Sequence, residues 1–530
     1  MSRPGFRSVL VGFLTLVLVA VGAMVFGAWA GRRGGDGFTD PPDPICRTRR
    51  STQPNVRTDC EFTRVRHGMV FSNETSIAVN PTRPANIVAA ADDNQILLTG
   101  KTSEADYAFS RVRVSDDGGS TWSSHRVDWG RNRTSDVQVA FDAGGRAYLA
   151  VIGRIEDANP DIFVTHSADG GRHWSGPRRV AAGSGTDVEG ISNDKVALAA
   201  WGHGNALVAW ARYRMAGGYA GSPIVASVTH DGGGSWSSPV EVSGSAPFCV
   251  GTGGDHACDQ AQNPQPVVTP DGRLMLSFVA SHKSGVAGNI DPNTLMVVEL
   301  DSASGTRRDG PFPVAALADA ASGYPVSDLY GLPTLHDSEF VASSLGTITA
   351  DPTNPGHLAE VWSDMRNTAS PVSTDPYSAV TNSDVVVAQS FDLGRTWGAA
   401  VTLAAPGDQF QPSATYDRSG RLRIGYLDRS YDPANHLYGY TLASEQHPGS
   451  LSFDTRRVST ALSDPTRDAH FFAQTTVNPA FPHPTRLIGD NTALAATPEG
   501  VIAYWTDLRG RTCFGGRCGG DQGTYVANLP

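Results

Sequence analysis

Two sets of polar residues in this sequence have the types and the spacing to do chemistry. The first is a set of carboxylates and amides that stand just before alternating apolar runs: Glu74, Asp136, Asp194, Gln265, Gln411 and Asp490. Carboxylates gathered in one place serve as general acid, general base or nucleophile, according to what their surroundings do to each pKa. The second set follows apolar runs: Trp362-Ser363-Asp364-Met365-Arg366, Trp505-Thr506-Asp507-Leu508-Arg509, the shorter Tyr426-Leu427-Asp428-Arg429, and the variant Trp210-Ala211-Arg212-Tyr213-Arg214. Guanidinium groups from several segments can converge on one anionic group and grip it bidentately. The same recurrence also fits a structural role, in which each Asp and Arg tie down their own loop by a local ion pair. Tyr213, Tyr377 and Tyr431 fall in the loops that follow such runs and are candidate nucleophiles.

The elements that must position these residues are strands. One octapeptide recurs at 115–122 (SDDGGSTW), 167–174 (SADGGRHW), 229–236 (THDGGGSW) and 390–397 (SFDLGRTW), with the shared pattern S/T-x-D-x-G-x-x-W. Each copy follows an alternating strand such as 161–166 (DIFVTH), which makes the octapeptide a hairpin turn. Asp117, Asp169, Asp231 and Asp392 are suited to accept backbone N–H bonds inside the turn, the Gly permits positive φ, and the Trp folds back as an apolar plug. These are structural jobs.

A second element, strand–turn–strand, recurs with turns at Asn80, Asp142, Trp201, Thr269, Asp351, Asp417 and Thr497, roughly 60 to 80 residues apart. Degenerate octapeptides are expected at 301–305 and 444–449. The pattern predicts an all-β chain with four-stranded blades, seven favoured. The seventh repeat lacks an outer strand at the C-terminus, and 61–66 (EFTRVR) is expected to supply it and close the ring. Label the strands of a blade A to D from the axis outward. In an antiparallel meander the A–B and C–D turns then share one face, and the B–C loops and D–A links share the other. The octapeptides are C–D turns, so both polar sets meet on the opposite face.

With four octapeptides in one chain, the sequence resembles the sialidase and Asp-box β-propeller superfamily. Sialidases have six blades, so a six-bladed ring with the last repeat packed outside it is the alternative. The resemblance implies glycoside hydrolysis at a terminal acidic sugar such as sialic acid. A Tyr nucleophile activated by Glu, an Asp acid and base, and three arginines on the sugar carboxylate would do the chemistry. Carried onto this chain, the carboxylates are candidates among Glu74, Asp136, Asp194 and Asp490, the nucleophile is most nearly Tyr431, and the arginines are Arg366, Arg429 and Arg509 with Arg214 as a fourth. The Arg-Ile-Pro element of authentic sialidases is absent, Thr63-Arg64-Val65-Arg66 being the nearest stretch. A noncatalytic propeller that binds glycan or protein is the other reading, because a fold does not fix a function.

The remaining sequence bounds partners and compartment. A net charge of −11 argues against nucleic acid as a partner. There is no H-E-x-x-H, no G-x-S-x-G and no phosphate loop, and neither a cofactor nor a metal is expected. Asp92-Asp93-Asn94 offers oxygen ligands of the kind a hard cation takes, although exposed acidic loops are usually just solvated. Residues 8–30 are uncharged and apolar, flanked by Arg3, Arg7, Arg32 and Arg33, and read as a membrane anchor or a signal segment. The expected organisation is 1–33 signal or anchor, 34–60 linker, and 61–530 propeller. The six cysteines fall as close pairs, Cys46 with Cys60, Cys249 with Cys258 and Cys513 with Cys518, which favours three local disulfides and an extracellular location.

Overall fold

The fold was obtained as a computed structural model, which describes residues 46–530 apart from 49–50, 52, 60–67, 100–101, 132, 156–157, 187, 281–293, 319–323, 326–332, 339, 341, 343, 370–371, 374, 376, 469–487 and 515–516. The apolar segment 8–30, Cys60 and the stretch 61–66 lie outside the described residues. Among those described, no helix is long and apolar enough to cross a membrane.

Seven antiparallel sheets follow one another around an axis. Their A strands are Gly68–Val79, Arg133–Phe141, Glu189–Trp201, Ala261–Val268, Thr347–Ala350, Gln409–Tyr416 and Ala493–Thr497. Each A strand packs against the next, and the seventh packs against the first, so the ring closes as a seven-bladed β-propeller. The B strands are sandwiched between neighbouring blades and read accordingly. Leu274–Ala280 (LMLSFVA) and Leu358–Asp364 (LAEVWSD) are buried at every position.

Closure differs in one respect from the sequence expectation. The outer strand of blade 7 is Val56–Arg57, not 61–66; it pairs antiparallel with Arg517–Leu529, Val56 opposite Val526 and Arg57 opposite Tyr525. Arg57 sits between two carboxylates, Asp59 at 2.5 Å and Asp521 at 2.8 Å, and Thr58 N–H donates to the Thr524 carbonyl at 2.9 Å. Cys46–Arg47 adds a fifth strand at the outer edge of blade 1. Residues expected to form only a tether therefore clasp both ends of the ring.

The octapeptides are the C–D turns of blades 1, 2, 3 and 5. In the first, Ser115 Oγ donates to Asp117 Oδ1 at 2.9 Å, the Gly119 N–H donates to Ser115 Oγ at 2.8 Å, and the Thr121 N–H donates to Asp117 Oδ1 at 2.8 Å. Asp169, Asp231 and Asp392 accept the equivalent N–H of residues 173, 235 and 396 at 2.8–2.9 Å. Gly171 has φ +88°, and a Cβ there would lie 2.6 Å from Val88 of the preceding blade, so both conformation and close approach require glycine. Trp122 is buried; Trp174, Trp236 and Trp397 are half-buried against the cores between blades, less enclosed than the plug role implies.

Cys249 and Cys258 form a disulfide. Cys518 is also disulfide-bonded and faces Cys513 across the terminal hairpin of blade 7.

Candidate functional site

The A strands carry the same irregularity five times. In blades 1, 2, 3, 4 and 6 a bulge places two A-strand residues opposite one B-strand residue, between 73 and 76, 135 and 138, 194 and 197, 262 and 265, and 410 and 413. The first bulged residue in each is left-handed, yet none is glycine: Glu74, Asp136, Lys195, Asn263 and Gln411, with φ between 50° and 54°. Each such residue costs on the order of 1–3 kcal/mol, and the bulge turns its side chain toward the axis in every blade that has one. Together with Asp490 and Asn491 of blade 7, these residues line one axial cavity of about 220 Å³.

The bulged residues also link the blades. The Asp136 N–H donates to Asp92 Oδ2 at 2.9 Å, and the Lys195 N–H donates to Asp136 Oδ2 at 3.0 Å. Asn263 Nδ2 donates to the Gly346 carbonyl at 3.0 Å, Gln411 Nε2 to that of Gly489 at 2.5 Å, and Asn491 Nδ2 to that of Thr75 at 2.7 Å.

Charge is concentrated on one side of the cavity. Carboxylate oxygens of Glu74, Asp92 and Asp136 lie within 4.8 Å of one another, and Lys195 Nζ pairs with Asp490. Burial, reinforced by Asp92, Asp136 and Asp490, pushes Glu74 well above the usual carboxylate range. Burial raises Asp92 to about 7 against hydrogen bonds that work the other way, and it raises Asp194 to about 6, with Asp136 adding to the shift and Lys195 opposing it. Burial works to lower the Lys195 ammonium, but Asp490, Asp136, Asp194 and Glu74 outweigh it and raise it well above its ordinary value.

Of the residues proposed from sequence, Glu74, Asp136 and Asp490 line the cavity, and Asp194 stands behind Lys195, which occupies the position expected for it. Gln265 and Gln411 line it as well. Lys195, Asn263 and Asn491 were not anticipated. Asp92 joins the cluster, whereas its neighbour Asp93 is committed to Arg111 and Arg113 at 2.5 and 2.7 Å.

The arginines lie elsewhere. Arg366 is clamped bidentately by Asp364 at 2.8 and 2.7 Å, and Arg509 by Asp507 at 2.9 and 2.7 Å. The same carboxylates accept the indole N–H of Trp362 and Trp505, at 2.8 and 3.1 Å. Arg429 is buried and donates to the His336 and Asn435 carbonyls and to Asp408, rather than to Asp428. Arg214 pairs with Asp259 at 2.9 Å. The hydroxyls of Tyr431 and Thr441 are hydrogen-bonded at 2.6 Å, and Tyr213 belongs to the apolar core. None of these arginines or tyrosines is among the described residues lining the cavity.

No family model matches the chain, and no curated protein matches it. Among solved structures it is similar to a protein of unknown function from Dyadobacter fermentans, at 12% identity over 90% of this chain and 98% of that one, with a TM-score of 0.44. It is also similar to the NanB sialidase from Streptococcus pneumoniae (9% identity, 87% and 94% coverage, TM-score 0.44) and to a Hadza microbial sialidase (12%, 92% and 95%, 0.42). At these identities the likeness says nothing of any site residue.

Proposed function

We propose that the protein is a glycan-directed propeller whose axial cavity receives one neutral, hydroxyl-rich sugar ring. The observation that carries this reading is the lining: Glu74, Asp136, Asp490, Gln138 and Asn491 surround a cavity whose one cationic lining residue among those described is Lys195. Carboxylates and amides match the donors and acceptors of vicinal hydroxyls, and an excess of negative charge repels an acidic sugar. At about 220 Å³ the cavity is smaller than the ~300–1,000 Å³ usual for drug-sized ligands, which suits a single terminal ring. The glycan class itself rests on the four octapeptides and their resemblance to Asp-box repeats.

Sialidase chemistry has less support. Its arginine clamp needs free guanidinium forks, and Arg366, Arg429, Arg509 and Arg214 already have carboxylate partners. A second reading, hydrolysis of a neutral glycoside, is favoured by one observation: Glu74, Asp92 and Asp136 gather at the axis with Glu74 and Asp92 raised by burial, the arrangement that lets one carboxyl act as acid and another as base. Fluorogenic sialosides, galactosides and glucosides, together with saturation-transfer NMR of the matching methyl glycosides, test both readings. Binding of a neutral glycoside without turnover supports recognition, and turnover of one supports hydrolysis. Turnover of the sialoside overturns the proposal.

A further inference from the structure

The axial cluster brings three carboxyl groups within reach of one another with no ion pair of their own among the described residues. Glu74, Asp92 and Asp136 come from two blades, yet no described ion pair includes any of them; Lys195, the nearest cation, is engaged by Asp490. Glu74 and Asp92 hydrogen-bond to each other, Ser110 and the Asp136 N–H donate to Asp92, and the Lys195 N–H donates to Asp136, so a shared proton and neutral donors hold the group together where a cation could replace the proton. A second, independent observation lies in the same cavity. Gln411 is 5% exposed, and its Nε2 is fixed on the Gly489 carbonyl, which orients the amide. Its Oε1 is buried and meets no hydrogen-bond donor. Gly489 itself lies against Glu74, since a Cβ there would be 3.2 Å from Glu74 Cγ. An orphaned amide oxygen on a residue that lines the same cavity as this group makes an all-oxygen donor set of the kind a hard cation takes, and a buried acceptor left unmatched is costly.

We propose that the axial cavity holds one Ca²⁺ ion, ligated by Glu74, Asp92 and Asp136 with the Gln411 carbonyl oxygen turned toward it and the remaining positions open to water or to hydroxyl groups. Calcium is favoured over Mg²⁺ because four oxygens spread over three blades give an irregular shell, which Ca²⁺ accepts at six to eight ligands and Mg²⁺ does not. The ion would join blades 1, 2 and 6 across the axis. This assignment stands independently of the sugar reading and is tested with the ion alone.

The experiment is calorimetric titration of the chelator-treated full-length chain with CaCl₂ and, separately, MgCl₂, alongside thermal melts in each. One equivalent of Ca²⁺ per chain, a raised melting midpoint and weaker Mg²⁺ binding are expected. Glu74→Gln and Asp136→Asn should each weaken Ca²⁺ roughly tenfold or more, about 1.4 kcal/mol per decade. Gln411→Leu keeps all three charges, and its loss of Ca²⁺ affinity separates ligation from a diffuse field. Asp507→Asn, remote from the cavity, should bind as the unaltered chain does. If the chelated chain takes up no Ca²⁺ at millimolar concentration and its midpoint does not move, the assignment is wrong. Equal loss in Asp507→Asn would also overturn it.

Discussion

Glu360→Gln should change the pH dependence of stability without changing the fold. Glu360 lies in the B strand of blade 5 and is fully buried. Ser277 Oγ donates to its Oε1 at 3.2 Å, and its Oε2 meets no donor. It fits there because residue 346 is glycine; a Cβ would stand 2.2 Å from Oε1. Burial raises its pKa from an ordinary 4.5 to about 8. The folded state therefore holds a proton that the unfolded chain has released between those two values. Stability from this group is fully present below about 4.5 and is lost as pH rises through about 8. One proton corresponds to about 1.4 kcal/mol per pH unit, so the loss between pH 5 and pH 8 is at most on the order of 4 kcal/mol. Glutamine keeps the shape and removes the titration. Urea midpoints of both proteins at pH 5, 6, 7 and 8, with reversibility checked at each, should nearly coincide at pH 5 and separate progressively, the variant becoming the more stable. Parallel profiles across that range would refute the reasoning.

Three further outcomes are expected. Arg57→Ala removes the ion pairs to Asp59 and Asp521 at the clasp; since Arg57 retains some exposure, the cost should be about 2–4 kcal/mol, toward the low side of the 3–5 of a fully buried pair, and limited proteolysis should cut first near the chain ends. Trp122→Ala should cost on the order of 3–5 kcal/mol in chemical denaturation, and Trp174→Ala distinctly less, because only the first is fully enclosed. Arg509→Lys should leave binding of neutral glycans unchanged, since the guanidinium is spent on Asp507, Thr460 and Asn55; a lost affinity would return the arginine to the site.

The sequence reading reached furthest where local chemistry repeats. The octapeptides and the A–B turns are self-contained hydrogen-bonded units, so their residues announce them and their spacing counts the blades. The clasp was missed by a few residues because a two-residue strand such as Val56–Arg57 carries no alternation to detect. At the site the error has one cause. A bulge adds one residue to an A strand and shifts which side chain meets the axis, so an alternation counted from the strand points to Asp194 where the structure turns Lys195 inward at positive φ, and in blade 4 it finds Gln265 but misses the left-handed Asn263 that lines the cavity with it. The arginines could not be decided from sequence. Trp-x-Asp-x-Arg reads the same whether the guanidinium is a clamp or a lock, and only the indole and guanidinium contacts to one carboxylate distinguish them.

The most direct measurement of the central claim is a glycan array probed with the full-length chain and with Gln265→Trp. Gln265 lines the cavity, and among the described residues its side chain donates one long hydrogen bond, to Asn263 Oδ1 of its own blade at 3.4 Å, so an indole there fills the space without breaking a link between blades. The unaltered chain should bind neutral terminal sugars in preference to sialylated ones, and Gln265→Trp, still folded by circular dichroism, should lose that binding. A preference for sialylated glycans, or neutral binding that survives the plug, would contradict it.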